Sequence, residues 1–247
     1  MSKNLIVIPA RIGSTRFPKK MLHKIQGKPL IDWTMLAARR VENSRILIAT
    51  DDHEIAERAM GNKIEYLMTP TDIKSGTERV SYVVKKLKFN GKIINWQGDE
   101  PLVEPSAAKK LFSLLDHHDV VTLAAPYKGD LENQNRVKVN INNTMQAIDF
   151  SRKNAFPFSD GTSPSGKLFL KNHKWDKCWE HIGIYGYRSE ALLKWTKSRM
   201  AEREREEKLE QLTALKIGLK IGVEIIKSAP VGVNTIEDVK NIGKLKT

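Results

Sequence analysis

Three long cations, Arg11, Arg16 and Lys20, stand close together near the start of the chain, interleaved with Ser14, Thr15 and Lys19. An arginine presents a planar fork that meets two phosphate oxygens at once, and a lysine supplies a mobile point charge. The residues just before them, Leu5-Ile-Val-Ile-Pro9-Ala10, are apolar and read as a buried strand. In an open α/β sheet, ligands bind beyond the carboxyl ends of the strands. A basic, hydroxyl-bearing loop at such an end can hold phosphates and neutralise charge that develops on them. A solvated basic loop would have the same composition. The Gly-x-x-x-x-Gly-Lys-Ser/Thr pattern is absent, which disfavours ordinary ATPases and GTPases.

Other stretches carry further chemistry. In Ser75-Gly76-Thr77-Glu78-Arg79, glycine permits close backbone approach, and two hydroxyls stand beside helix-start amides. Such a turn can read the edge of a base, and it serves equally as a plain N-cap. Gln97-Gly98-Asp99-Glu100-Pro101 places a carboxylate after an apolar strand. There it can reach Mg²⁺, an ion that keeps waters and bridges one or two carboxylates to phosphates, or it can simply cap a following helix. His181 heads an apolar strand, the usual place for a structural histidine. No second histidine stands at metal spacing, which argues against a zinc site. Glu210-Gln211 falls on the polar side of an amphipathic segment, as an ordinary solvated face would.

The elements that must position these residues can be read from hydrophobic period and capping signals. Strands are expected at 44–50, 64–68 and 93–96, and helices at 29–42, 52–60 (capped by Asp51-Asp52) and after Ser75. This alternation implies parallel strands joined by crossover helices. Beyond residue 119 come a strand at 120–125, a hairpin of 137–141 with 145–150 about Asn142-Asn143, and a mixed loop at 157–180. Strand 181–188, a helix near 189–199, a charged amphipathic helix over 202–217, strand 221–226 and a terminal helix opened by Thr235 complete the reading. One α/β domain spanning residues 1–247 is expected, with a β-rich insertion about 130–190.

The balance of 42 basic to 29 acidic residues leaves +13, which favours an acidic partner. Lysines are spread along almost every segment, so a specific nucleic-acid footprint is not expected. A single cysteine, Cys178, excludes an intrachain disulfide and a thiolate metal site. No apolar run is long enough for a membrane span, and the first apolar run ends in charge, as a strand does and a signal peptide does not. A soluble protein of a reducing, cytoplasmic compartment is expected.

Taken in order, these motifs resemble one family. Arg11-x-x-Ser14-x-Arg16-x-Pro18-x-Lys20 after an apolar strand is similar to the signature of sugar cytidylyltransferases. Ser75–Arg79, Gln97–Pro101, Phe150-Ser-Arg152, His181–Arg188 (HIGIYGYR) and Leu209-Glu-Gln-Leu212 follow as in the 3-deoxy-manno-octulosonate (Kdo) cytidylyltransferases. The resemblance runs from residue 4 to about 243. It implies a Rossmann-like, nucleotide-diphospho-sugar transferase (GT-A-like) fold with a mostly parallel sheet and a β-rich dimerisation insertion. It also implies transfer of CMP from CTP to Kdo with Mg²⁺, for lipopolysaccharide assembly, by a homodimer. By position, Arg11, Ser14, Arg16 and Lys20 would bind the triphosphate, and Pro9, Ala10, Ser75, Gly76, Thr77 and Arg79 would complete the nucleotide site. Arg11, Lys20 and Asp99 would be catalytic. Gln97, Arg152, His181, Tyr185, Glu210 and Gln211 would form the sugar site, with Arg188 a further candidate. Mg²⁺ would lie on Asp99 and on residue 234.

The chain departs from that pattern in several places. Asn234 stands where the family has Asp, keeping a carbonyl oxygen but losing the charge that holds a hard cation. Lys19 replaces a glycine, Met21 a proline, and Thr213 an arginine. Two alternatives stay open from the sequence: activation of a related acid such as 8-amino-Kdo or a nonulosonic acid, and a catalytically weakened nucleotide- or anion-binding homologue.

Overall fold

The computed structural model describes residues 3–13, 17–128, 130–153, 179–233 and 235–242. The chain opens on β1 (Asn4–Ala10), then a short 3-10 turn (Lys20–Leu22), a two-stranded ribbon of β2 (Lys24–Ile25) and β3 (Lys28–Pro29), and α1 (Leu30–Arg39). Next come β4 (Arg45–Thr50), α2 (His53–Gly61), β5 (Glu65–Met68), α3 (Gly76–Leu87), β6 (Lys92–Asn95) and α4 (Pro105–Leu114). The second half holds β7 (Val120–Pro126), β8 (Lys138–Ile141), β9 (Ala147–Ser151), β10 (Trp179–Arg188) and α5 (Ser189–Lys197). It ends with α6 (Glu202–Glu207), α7 (Gln211–Lys216), β11 (Ile221–Ile225) and α8 (Ile236–Asn241).

The main sheet runs in the order β11-β7-β10-β6-β1-β4-β5, with the β8–β9 hairpin attached through β10. β1 pairs in parallel with β4 and β6, β4 with β5, and β7 with β11. Only β10 on this path is reversed, antiparallel to both β6 and β7. The sheet is therefore mostly parallel, as the strand–helix alternation implies.

β1 reads as a continuous apolar run because both of its faces are covered. Successive side chains alternate: Ile6 and Ile8 join Ile31, Met35, Leu111 and Trp96 in one layer. Leu5 and Val7 join Val80, Val83, Val84, Tyr187 and Leu192 in the other. A smaller cluster of Phe17, Ile25, Leu30, Trp33, Val233 and Ile242 ties the loop after β1 to the C-terminal segment.

The caps expected from sequence are present. Asp52 accepts from the Ile55 amide at 3.0 Å, Ser75 from Glu78 at 3.2 Å, and Thr235 forms a capping box with Asp238. The Asn142 side chain organises the β8–β9 turn by accepting from the amides of Thr144 and Gln146. Helix α4 was not expected; it starts with Pro105 as its first residue after Glu104 and buries Ala107, Ala108, Leu111 and Phe112. The loop expected at 157–180 lies outside the described residues as far as 178, and Trp179 and Glu180 begin β10. No helix among the described residues is long and apolar enough to cross a membrane.

One expectation is corrected. The helix read over 202–217 is two short helices, broken where Lys208 takes a left-handed backbone (φ 54°). The cause is Glu207, which the periodicity assigns no special place. Its buried carboxylate accepts from Ser151 Oγ at 2.9 Å, from the Arg152 amide at 2.9 Å and from Arg203 at 2.9 Å. Its carbonyl also accepts from Arg152 Nε at 2.8 Å. An unbroken helix would spend that carbonyl on its own ladder. Burial pushes the Glu207 carboxyl up, but bonds from Arg152, Arg203 and Ser151 outweigh it and the net shift is downward.

Glu207→Ala strands several buried donors and is expected to cost about 3 kcal/mol, read as a lower urea midpoint. The depressed carboxyl contributes stability above its ordinary value of 4.5. That contribution is lost as pH falls through the lower folded value, so Glu207→Gln should flatten the acid limb of a stability–pH curve.

Candidate active site

The site is assembled at the carboxyl ends of β1, β4 and β6. β1 ends in Ala10, and the exposed Arg11 follows. The Ile12 amide donates to Asp51 Oδ1 at 3.2 Å, which pins the start of the loop to the end of β4. Asp51 Oδ2 in turn takes Arg79 Nη2 at 2.9 Å, and Arg79 also donates to Thr69. Arg79 is only 2% exposed. It was expected to touch nucleotide; its guanidinium is instead spent inside the fold, where it steadies Asp51 and hence the loop.

Ser14, Thr15 and Arg16 lie outside the described residues. The chain returns through buried Phe17, and Lys19 adopts a left-handed backbone with φ 52°. Glycine adopts that geometry freely, whereas a side chain there costs roughly 1 kcal/mol. The turn brings Lys20 inward, where it is 8% exposed with Nζ 2.5 Å from Asp99 Oδ2.

Asp99 sits in a turn with few freedoms. The Glu100 amide donates to the Gln97 carbonyl at 3.0 Å, Thr34 Oγ1 to the Gly98 carbonyl at 2.7 Å, and Trp96 Nε1 to the Glu100 carbonyl at 2.9 Å. A Cβ on Gly98 would stand 3.0 Å from Met21 Sδ and 3.2 Å from the Pro9 carbonyl. The Val233 amide donates to the Asp99 carbonyl at 3.0 Å. Its neighbour in sequence, Asn234, lies outside the described residues. Beside Asp99, Glu100 Oε2 is buried with no hydrogen-bond partner among the described residues. Burial first, then the Asp99 charge, push its carboxyl up to about 8 against the pull of Lys20.

The described residues contain no group of three or more His, Cys, Asp or Glu that could hold a metal. What Asp99 presents is a single part-exposed carboxylate with one oxygen on Lys20. That donor set fits a hard ion completing its shell from phosphate oxygens and water, as Mg²⁺ does.

Ser75, Gly76 and Thr77 begin α3 on the other side of β1. A Cβ on Gly76 would meet the Gln97 amide at 3.1 and 3.2 Å and Pro9 Cγ at 3.5 Å, so Pro9, Gly76 and Gln97 share one surface. Gln97 Nε2 donates to Asn95 Oδ1 at 3.0 Å, and Asn95 Nδ2 to the Tyr187 hydroxyl at 3.2 Å, which lies 3.5 Å from Thr77 Oγ1. Ser75 Oγ donates to Glu210 Oε2 at 3.2 Å across 135 residues of sequence. Burial raises the Glu210 carboxyl, opposed by bonds from Thr77 and Ser75. Glu210, which the resemblance puts in the sugar site and its helical position alone would leave on a solvated face, bonds to the Ser75–Thr77 turn. Gln211, assigned to the sugar site with it, is buried as the first residue of α7.

β10 supplies the remaining wall. Because it is reversed, its first residues lie where the other strands end. The half-buried His181 packs between Phe150 and Tyr185, with ring centroids 5.1 and 5.2 Å away. Burial, and then the nearby Arg152 charge, lower its pKa to about 3, so the ring is neutral at physiological pH. Tyr185 stacks on Tyr187 with centroids 6.1 Å apart, and burial raises its phenol well above the ordinary value. Arg152 stays near His181 but donates to the carbonyls of Glu207 and Gln134. Arg188, by contrast, is registered with Lys92 at the start of β6, at the opposite end of the sheet, and cannot join the site.

Thr34, Asp51, Asn95 and Tyr187 were not singled out from sequence as site residues. Asp51 had a visible signal, a second carboxylate beside the N-cap that α2 does not need.

The raised Glu100 carboxyl gives a pH test in the nucleotide-free protein. Between the ordinary value of 4.5 and about 8, the folded state holds a proton that the unfolded state has lost. Stability should therefore fall as pH rises through that window, and Glu100→Gln should remove the slope in urea titrations at several pH values.

Comparison with known proteins agrees with this geometry. Residues 5–221 match the family model described as Cytidylyltransferase. The chain is 37% identical over 245 residues to a 3-deoxy-manno-octulosonate cytidylyltransferase of Bdellovibrio bacteriovorus, covering 97% of this chain and 96% of that protein. It is also 37% identical to the protein of the same name from Bartonella bacilliformis, covering 98% of each. Among solved structures, a CMP:2-keto-3-deoxy-manno-octonic acid synthetase complexed with CTP superposes with a TM-score of 0.84 at 30% identity, covering 97% of this chain and 96% of that one. A 4-diphosphocytidyl-2C-methyl-D-erythritol synthase from Anaerococcus prevotii shares the fold alone, with a TM-score of 0.61 at 12% identity, covering 96% of this chain and 95% of that one. The chain belongs to the 3-deoxy-manno-octulosonate cytidylyltransferase family.

Proposed function

We propose that this chain transfers CMP from CTP to Kdo, releasing pyrophosphate. The observation that carries the reading is the meeting of Lys20 with Asp99 at 2.5 Å, at the carboxyl ends of two adjacent parallel strands. A cation and a carboxylate joined there suit a triphosphate that arrives with its own divalent ion. On one side the Ser75–Thr77 turn, with Pro9 packed beside Gly76 and its hydroxyls held by Glu210 and Tyr187, would offer backbone amides to a pyrimidine. Gln97, against the same turn, and His181 and Tyr185 of β10 would offer polar groups to a sugar acid.

The reaction forms a bond between the anomeric oxygen of Kdo and the α-phosphorus, breaks the α–β phosphoanhydride bond, and releases the hydroxyl proton. Such a transfer needs alignment and charge neutralisation rather than a covalent enzyme intermediate. Arg11, Lys20, Ser14 and Arg16 would hold the triphosphate and stabilise the leaving pyrophosphate. Mg²⁺, held by Asp99, would neutralise phosphate charge when bound. Asn234 would contribute at most a neutral carbonyl oxygen, so weaker Mg²⁺ binding is part of the proposal. We further propose that the protein works in the cytoplasm, as a homodimer, in lipopolysaccharide assembly.

Purified protein mixed with CTP, Mg²⁺ and Kdo is expected to release pyrophosphate. Silence with both Kdo and its 8-amino analogue, at high enzyme and varied Mg²⁺, would sink the reading. Lys20→Ala should lower kcat/KM by roughly 10²-fold or more. Gly76→Ala, whose methyl would press on the Gln97 amide at 3.1 Å, should lower kcat/KM by a few-fold as the flexible Gln97 side chain yields. Asn234→Asp should lower the Mg²⁺ concentration for half-maximal rate by about tenfold.

A further inference from the structure

The register of β10 against β7 shifts between Ile182 and Tyr185. Thr122 of β7, fully buried, faces the irregularity. Its Oγ1 lies 2.7 Å from the Ile184 carbonyl oxygen, 3.1 Å from the Ile182 carbonyl oxygen and 3.0 Å from His181 Nε2. A hydroxyl has one proton and can accept with its lone pairs, whereas carbonyl oxygens only accept. Were the proton directed at His181, two carbonyl oxygens would face a bare hydroxyl oxygen in a buried site, with no proton between them. The proton must therefore go to Ile184, shared with Ile182. The oxygen can then only accept from the ring, so Nε2 must carry a hydrogen.

We infer that Thr122 is a positioning residue that holds His181 as the neutral Nε2–H tautomer and leaves Nδ1 as a hydrogen-bond acceptor for a hydroxyl of the sugar acid. The choice of ligand group rests on the proposed function; the tautomer does not. The surroundings agree. Nδ1 has no hydrogen-bond partner among the described residues, Phe150 and Tyr185 cover the ring with aromatic surface, and the Arg152 charge opposes a second proton. An acceptor in this place cannot grip the substrate carboxylate, which is itself an acceptor. It selects a group with a proton to give, a hydroxyl or an amine.

The test is a long-range ¹H–¹⁵N correlation spectrum of the full chain with ¹⁵N-histidine, the His181 signals being assigned from a His181→Asn sample. A single neutral ring with the hydrogen on Nε2 is expected between pH 6 and pH 8, a range well above about 3. In Thr122→Val the ring should become a mixture of tautomers. With Kdo as substrate, kcat/KM should fall by about tenfold while KM for CTP stays within about twofold, and Thr122→Ser should restore both. A wild-type ring bearing hydrogen on Nδ1, or charged at pH 7, overturns the inference. So does an unchanged ring in folded Thr122→Val. If that variant does not fold, the wild-type spectrum decides by itself. The spectrum needs neither CTP nor Kdo, so a protein that transfers nothing would sink the proposed function and leave the tautomer standing.

Discussion

The site depends on one adjacency. β1 and β6 are parallel neighbours, with Val7 opposite Asn95, and the turn after β6 stays beside the last residues of β1, so that a Cβ on Gly98 would stand 3.2 Å from the Pro9 carbonyl. Lys20 from the first loop and Asp99 from the second are thereby within reach, and Gly98 keeps a side chain away from Met21 and the Pro9 carbonyl. Other contacts refine this arrangement. Asp51 pins the first loop, Thr34 and Trp96 hold the second, and Val233 closes on Asp99 from behind.

The reversed β10 solves a different problem. A parallel strand would present its carboxyl end at the site and its side chains would arrive last. Running the other way, β10 brings His181 to the ligand end while Tyr187, further along, reaches back under α3 to Thr77 and Asn95. One strand therefore contacts both the Ser75–Thr77 turn and the aromatic wall of Phe150, His181 and Tyr185. Glu210 makes a second connection between them through Ser75, so the two halves of the site share hydrogen bonds rather than merely facing one another.

Much of the fold is legible in the sequence. Strands buried on both faces write themselves as apolar runs, and Asp52, Ser75 and Thr235 mark helix starts by their side-chain chemistry. Helix α4 is harder to read because small residues, Ala107 and Ala108, form much of its buried face and carry little hydrophobic signal. The break at Lys208 cannot be read locally at all, since its cause is a set of donors from Ser151 and Arg152, more than fifty residues away. Motif order points to the segments that gather at the carboxyl ends of β1, β4 and β6. It does not show that Arg79 turns inward, because a buried guanidinium and a phosphate-binding one look alike until Asp51 is placed beside it. Nor does it show that Arg188 sits at the wrong end, which follows only from the direction of β10.

The small cluster of Phe17 and Trp33 with Val233 and Ile242 has a consequence for how the molecule comes into being. A chain made from its amino end can lay down β1, β4, β5 and β6 early, with their crossover helices, from contacts that are mostly local. The loop after β1 is different. Phe17 finds part of its cover at once from Ile25, Leu30 and Trp33, but the cluster is complete only when the segment around Val233 and Ile242 has been synthesised. The Asp99 turn gains its backbone contact from Val233 at the same stage. The loop after β1 is thus among the first parts of the chain to be made and among the last to gain all of its packing.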